Sequence, residues 1–219
     1  MSDAAMGAAM NVVLHDYWRS SAAYRLRIAF NLLGLPYVSR PVDLLAGDQR
    51  GADNLARNPQ GLVPTVEMDG LTLTQSLAVL EYLNETREAG FLPADVAGRA
   101  RVRALAYAVA MDIHPVCNLR VARHAVGLGG AATMEGWMQH FIGLGLEGLE
   151  GMLMQDMPGQ VCHGDRIGLA DICLMPQLYN ADRWGVALDR FPRIAAIGAH
   201  LATIPAFAAA HPDLCKPVA

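Results

Sequence analysis

The sequence predicts an α/β domain followed by an all-α domain. Up to Pro93, short extended runs alternate with helical periodicity in the order β-α-β and then β-β-α. That order asks for a small mixed sheet with helices packed on it. Beyond residue 98 the pattern is helix only. We place the first domain at residues 11–93 and the second at 98–219, with Ala94–Ala97 as a linker and Met1–Met10 as a loose tail.

The apolar run Val12-Val13-Leu14 reads as the first strand. Ser20 and Ser21 stand where a helix should begin, because a serine hydroxyl accepts the otherwise unpaired N–H groups of a first turn. Ile28, Ala29, Leu32 and Leu33 then recur at helical spacing, and Gly34 supplies the stop. A strand running into a serine-capped helix start is an anion site, since exposed N–H groups and the helix dipole both favour negative charge. Arg19 before the cap, with Arg25 and Arg27 inside the helix, adds positive potential. We expect this site to hold a thiolate.

Tyr37–Val42 reads as a second strand and Asp48–Ala56 as a short helix. Asn58-Pro59-Gln60-Gly61 is a dense turn signal. Leu62–Met68 and Leu71-Thr72-Leu73, joined by Asp69-Gly70, carry a hairpin signature. A second helix follows from about Gln75, with Leu77, Leu80 and Leu83 in register.

In the helical part, Arg99–Val126 and Thr133–Met154 are long periodic stretches. Trp137, Phe141, Leu144 and Leu149 are the expected core positions of the second. Gly143, Gly145, Gly148 and Gly151 each cost roughly 1 kcal/mol inside a helix, which the close approach of a neighbouring helix would offset. A further helix is expected from Ile172 to about Trp184, and a last one from Phe191-Pro192 past Leu201.

At 53% hydrophobic and 17% charged, the 219 residues suit a well-buried globular protein. A net charge of −4 gives no reason to expect a nucleic-acid or membrane partner. No apolar run reaches the ~18 residues that a membrane span requires. Cys117, Cys162, Cys173 and Cys215 form no CxxC pair and no zinc spacing, so we expect no metal and a reducing cytoplasm.

With those residues in place, the chain resembles the zeta-class glutathione transferases, and most closely their bacterial maleylacetoacetate isomerase branch. The most specific segment is Arg19-Ser20-Ser21-Ala22-Ala23-Tyr24-Arg25-Leu26-Arg27-Ile28-Ala29. Asn58-Pro59-Gln60-Gly61-Leu62-Val63-Pro64-Thr65, Gln75-Ser76-Leu77-Ala78 and Asp112-Ile113-His114-Pro115-Val116-Cys117-Asn118-Leu119-Arg120 support it in the right order. The resemblance implies a thioredoxin-like first domain, an all-helical second domain and a homodimer. It also implies glutathione as coenzyme, with Ser20 or Ser21 donating to its thiolate. Pro64 matches the family's cis-proline, which turns the Val63 backbone toward the cysteinyl amide of glutathione. Gln75 and Ser76 match the pair that holds the γ-glutamyl carboxylate, and Gln49 aligns with a glutathione-contacting glutamine. His114 and Asn118, four apart on one helix face, would point at the cofactor.

The implied reaction is cis–trans isomerisation of maleylacetoacetate to fumarylacetoacetate, a step of aromatic amino acid (tyrosine and phenylalanine) catabolism, with a small, acidic, unsaturated substrate. Arg19, Arg120 and Arg183 would hold its carboxylates, arginine's planar fork being suited to them. Each position also has a plainer reading: serines as caps only, arginines as surface charges, His114 as a packed core residue, Gln49 as a solvated loop residue. The chain departs from the family in two places. Ala22 stands where many members carry Cys, so any sulfur nucleophile must be the cofactor's. Gly168 stands where the family tends to place Ser or Thr before Leu-Ala-Asp, at an expected loss of a few tenths of a kcal/mol. Three alternatives stay open: a maleylpyruvate isomerase, a glutathione transferase or dehalogenase on small α-halo acids, and a non-catalytic binding module.

Overall fold

The computed structural model of the chain describes residues 12–155 and 159–217; the expected tail lies outside them. Strand β1 (Val12–Asp16), helix α1 (Ser21–Leu32) and strand β2 (Tyr37–Pro41) form a βαβ unit. Its strands are parallel, with Val12 opposite Tyr37 and Asp16 opposite Pro41. Strands β3 (Thr65–Met68) and β4 (Leu71–Thr74) form an antiparallel hairpin, and β3 lies antiparallel to β1, giving the order β2-β1-β3-β4. Asp69 and Gly70 have φ of 53° and 74°, as a two-residue type I′ turn requires. Between β2 and β3 lie a 3₁₀ turn, Asp48–Arg50, and helix α2 (Ala52–Arg57); helix α3 (Ser76–Thr86) follows the hairpin. The core of this part is built from Val12, Leu14, Leu26, Ile28, Phe30 and Val66.

Arg25 and Arg27, expected to add positive potential, are both buried in the structure. Arg27 Nη1 lies 2.7 Å from Asp16 Oδ2, and its other nitrogens donate to the carbonyls of Trp18 and Ala210. The Asp16 carboxylate neutralises it, so Arg27 ties β1, the β1–α1 loop and the C-terminal segment together rather than charging the helix start. Burial is the larger influence on Asp16 and pushes its carboxyl up, against the pull of Arg27.

The second part is helical, with α4 (Val96–Tyr107), α5 (His114–Val116), α6 (Leu119–Gly127), α7 (Met134–Met154), α8 (Leu169–Arg183), α9 (Pro192–Ala202) and α10 (Pro205–Ala209). Helix α8 runs through its centre, with α4 packed along it. The single helix expected over Arg99–Val126 is broken. Residues Ala108–Ile113 widen to π geometry, and Cys117 and Asn118 leave the helix. Pro115 explains this locally: it offers no N–H and its ring crowds the carbonyl four residues back. Trp137 of α7 donates from Nε1 to the Val116 carbonyl at 3.0 Å, taking up an acceptor that the break leaves over. At the other end, Asp95 caps α4 by accepting from Gly98 N–H at 2.7 Å. Helix therefore starts inside the segment expected as a linker.

Leu144, expected in the core, is 58% exposed. The buried stripe of α7 is Met138, Ile142, Leu146, Leu149 and Leu153. The α7 glycines divide as well. A Cβ on Gly145 would stand 2.2 Å from Ile113 Cγ1, whereas Gly143, Gly148 and Gly151 face open space. Close approach thus accounts for one of the four.

By compactness the chain parts into two units. One runs up to Tyr82 and takes in the chain from Ala210 onward; the other is Leu83–Ala209. The parting falls within α3, ahead of residues 94–97.

Candidate active site

The first unit carries Arg19, Ser20, Ser21, Gln49, Val63, Pro64, Gln75 and Ser76. Ser20 is the N-cap of α1, with extended backbone and Oγ accepting from Ala23 N–H at 3.2 Å. That contact uses a lone pair and leaves the hydroxyl proton available. Ser21 opens the helix, half-buried, with no protein partner among the described residues. Two hydroxyls and the positive end of a helix dipole therefore meet at one point, as a thiolate site requires.

No protein thiol competes for that role. The four cysteines form no disulfide, and burial pushes Cys117 up to about 11 and Cys162 and Cys215 upward. Ala22 supplies no sulfur at the cap.

The Val63–Pro64 bond is cis, as expected. Val63 lies outside the ladder, which begins at Thr65. The loop before it is braced by two buried asparagines. Asn58 donates to the Leu62 carbonyl at 3.1 Å, and Asn54 donates to the Gln49 carbonyl at 3.0 Å. Gln49 Oε1 is shielded from solvent without a protein hydrogen bond, an acceptor available to an amide N–H.

Gln75 adopts φ of 66°, uncommon for a residue with a Cβ. Its side chain donates from Nε2 to Gln60 Oε1 at 2.7 Å. Strained backbone of this kind concentrates at ligand clamps. It sits directly before Ser76, the first residue of α3, whose first-turn N–H groups have no partners within the helix. Arg25 Nη1 donates to the buried Ser76 Oγ at 3.1 Å, joining α1 to the start of α3. Hydroxyls, helix N-termini and an unpaired amide acceptor together match the groups of a γ-glutamyl tripeptide: a thiolate, a carboxylate and peptide N–H donors.

Arg19 is half-buried beside the cap. Its Nη2 donates to Tyr17 Oη at 2.9 Å, and its guanidinium stacks 4.7 Å from the Trp18 ring centre. Trp18 and Arg19 border one cleft, whose signal in the sequence is only an aromatic beside an arginine.

His114, Asn118, Arg120 and Arg183 belong to the second unit. His114 and Asn118 do not share a helix face. His114 lies in the short α5, and Asn118 is the extended N-cap of α6, its Oδ1 accepting from Arg120 N–H at 3.1 Å. The break at Cys117 rotates one away from the other's register. Arg120 is exposed in the first turn of α6, and Arg183 is exposed at the end of α8, its guanidinium 5.0 Å from the Trp184 ring. Gly168 caps α8 without a hydroxyl. Asp171 accepts from Gly168 N–H at 2.8 Å, and a Cβ at Gly168 would stand 2.9 Å from the Phe91 carbonyl. Close backbone approach gives glycine a physical reason here.

Among known proteins, the family model for the glutathione S-transferase N-terminal domain matches residues 19–86. The maleylacetoacetate isomerase of Rhizobium meliloti is 58% identical over 95% of this chain and 100% of its own length. A solved maleylacetoacetate isomerase from Anaeromyxobacter dehalogenans, with glutathione bound in its active site, superposes with a TM-score of 0.84 at 43% identity, covering 95% of this chain and 97% of that one. A bacterial maleylpyruvate isomerase of the zeta class superposes with a TM-score of 0.89 at 37% identity, covering 94% and 98%. Identity of this extent over 95% of the chain settles the family: the protein belongs to the zeta-class glutathione transferases, in the branch that holds the maleylacetoacetate isomerases.

Proposed function

We propose that the protein is a glutathione-dependent cis–trans isomerase that converts maleylacetoacetate to fumarylacetoacetate in aromatic amino acid catabolism. The observation that carries this reading is the serine-headed start of α1, with its two hydroxyls and no protein thiol. Similarity over the whole length to named maleylacetoacetate isomerases supports the choice of substrate. The first domain, residues 11–93, holds glutathione, and the second, residues 98–219, contributes to the substrate site. The enzyme works as a homodimer in the cytoplasm.

Glutathione held there would supply a sulfur nucleophile for reversible addition to the cis alkene and so would not be consumed. The protein's own groups make this favourable. Ser20 or Ser21 donates a hydrogen bond to the sulfur, and the α1 dipole stabilises its charge, which holds it as thiolate at neutral pH. Ser76 and the start of α3 hold the γ-glutamyl carboxylate, while Gln49, Gln75 and the Val63 backbone fix the peptide. Arg19 and Arg183 hold substrate carboxylate and stabilise the negative charge that develops on the carbonyl oxygens; Arg120 is a further candidate.

The test is turnover of maleylacetoacetate, maleylpyruvate and a small α-halo acid, each with glutathione. The highest kcat/KM is expected for maleylacetoacetate. A higher value for either of the others reassigns the substrate.

A further inference from the structure

Lys216 is the only lysine in the chain. It lies on the C-terminal segment that belongs to the first unit, and its Nζ stands 5.5 Å from the centre of the Trp18 ring. Arg19 stacks on the same indole at 4.7 Å. Both cations border one cleft of about 260 Å³, which Pro41, Val42 and Leu45 also line. Ligand pockets run from roughly 300 to 1,000 Å³, so this one suits a short ligand.

Neither cation is within ion-pairing distance of a carboxylate among the described residues. Of the acids that border the cleft, Asp16 pairs with Arg27, and Asp43 accepts from Leu45 N–H at 2.8 Å. Arg19 Nε is shielded from solvent without a hydrogen bond. Two cations stacked on one indole and without a carboxylate partner, in a cleft that apolar side chains also line, are the recognition chemistry of a carboxylate on a short carbon chain.

We propose that Lys216 and Arg19 together bind one carboxylate of the substrate in this cleft, making Lys216 a specificity-determining residue. This rests on the isomerase reading, because the carboxylate is that of the unsaturated acid. The glycyl carboxylate of glutathione has the same chemistry and is the other source. Lys216→Met keeps the apolar stem against the indole and removes the charge; Lys216→Arg restores it. For Lys216→Met, KM for maleylacetoacetate rises about fivefold or more, with kcat within about twofold, KM for glutathione unchanged and Lys216→Arg near the parent protein. An unchanged KM for maleylacetoacetate, or a rise confined to glutathione, overturns the proposal, and so does a change in melting temperature alone, which would mark a mere tail latch.

A second measurement separates failure of this proposal from failure of the isomerase reading. Reductive ¹³C-methylation gives one lysine resonance, which is followed as fumarate is added. The resonance shifts in the parent protein and stays still in Arg19→Met. If the parent protein shows no isomerase activity, this titration decides alone, and a resonance that does not move overturns the cleft.

Discussion

Ser20 caps α1 by accepting from Ala23 N–H, and Ser21 makes no side-chain hydrogen bond among the described residues, which makes the two separable by experiment. Ser20→Ala removes the cap to Ala23, so unfolding free energy falls by about 1 kcal/mol. Ser21→Ala stays within about 0.5 kcal/mol of the parent protein, as for a surface change that breaks no cap. Whichever hydroxyl donates to the sulfur, its loss lowers kcat/KM by about 10- to 100-fold, the worth of a hydrogen bond to a charged group. Urea unfolding and steady-state kinetics on both variants check this; if neither loses more than about threefold, the pair is structural only. At Arg27 the cost is to stability. Arg27→Ala leaves Asp16 buried and unpaired, so a loss of about 3–5 kcal/mol is expected in urea unfolding. The serine pair was legible from the sequence because a cap is a local signal. Arg27's role was not, since its partners include the Ala210 carbonyl, 183 residues away.

Among the elements, α7 gives the sharpest contrast. Gly145→Ala forces a Cβ against Ile113 and should destabilise by about 1–3 kcal/mol. Gly148→Ala and Gly151→Ala, on an exposed face, should stabilise by about 0.5–1 kcal/mol each through helix propensity. Thermal melts of the three variants read the sign directly. The Asp69-Gly70 hairpin, the cis-proline loop and the start of α1 were all readable, because turn chemistry and caps depend on neighbours in sequence. The broken helix around Pro115 and the exposure of Leu144 were not. Helical periodicity continues through a π-widened turn, and which stripe of a glycine-rich helix is buried depends on what packs against it.

For the molecule as a whole, the two-part order was readable from the switch in periodicity. The return of the C-terminal segment to the first unit carried no local signal; an only lysine was the nearest thing to one. A global property follows from the buried titrating groups. Burial raises Cys117 from 9.0 to about 11 and Tyr37 from 10.0 to about 12. The folded state then holds these protons after the unfolded chain has released them. The stability that these two groups contribute is full below pH 9 and is lost as pH rises through 9 to 12. Urea midpoints across that range check the slope, and Cys117→Ala should lessen it.

The central claim is that the sulfur is borrowed and returned. The direct measurement follows maleylacetoacetate conversion spectrophotometrically with glutathione far below substrate, with S-methylglutathione, and with no thiol. Complete conversion with glutathione recovered intact, and none in the other two, is the predicted result. Conversion without a free thiol, or consumption of one glutathione per substrate, would contradict it.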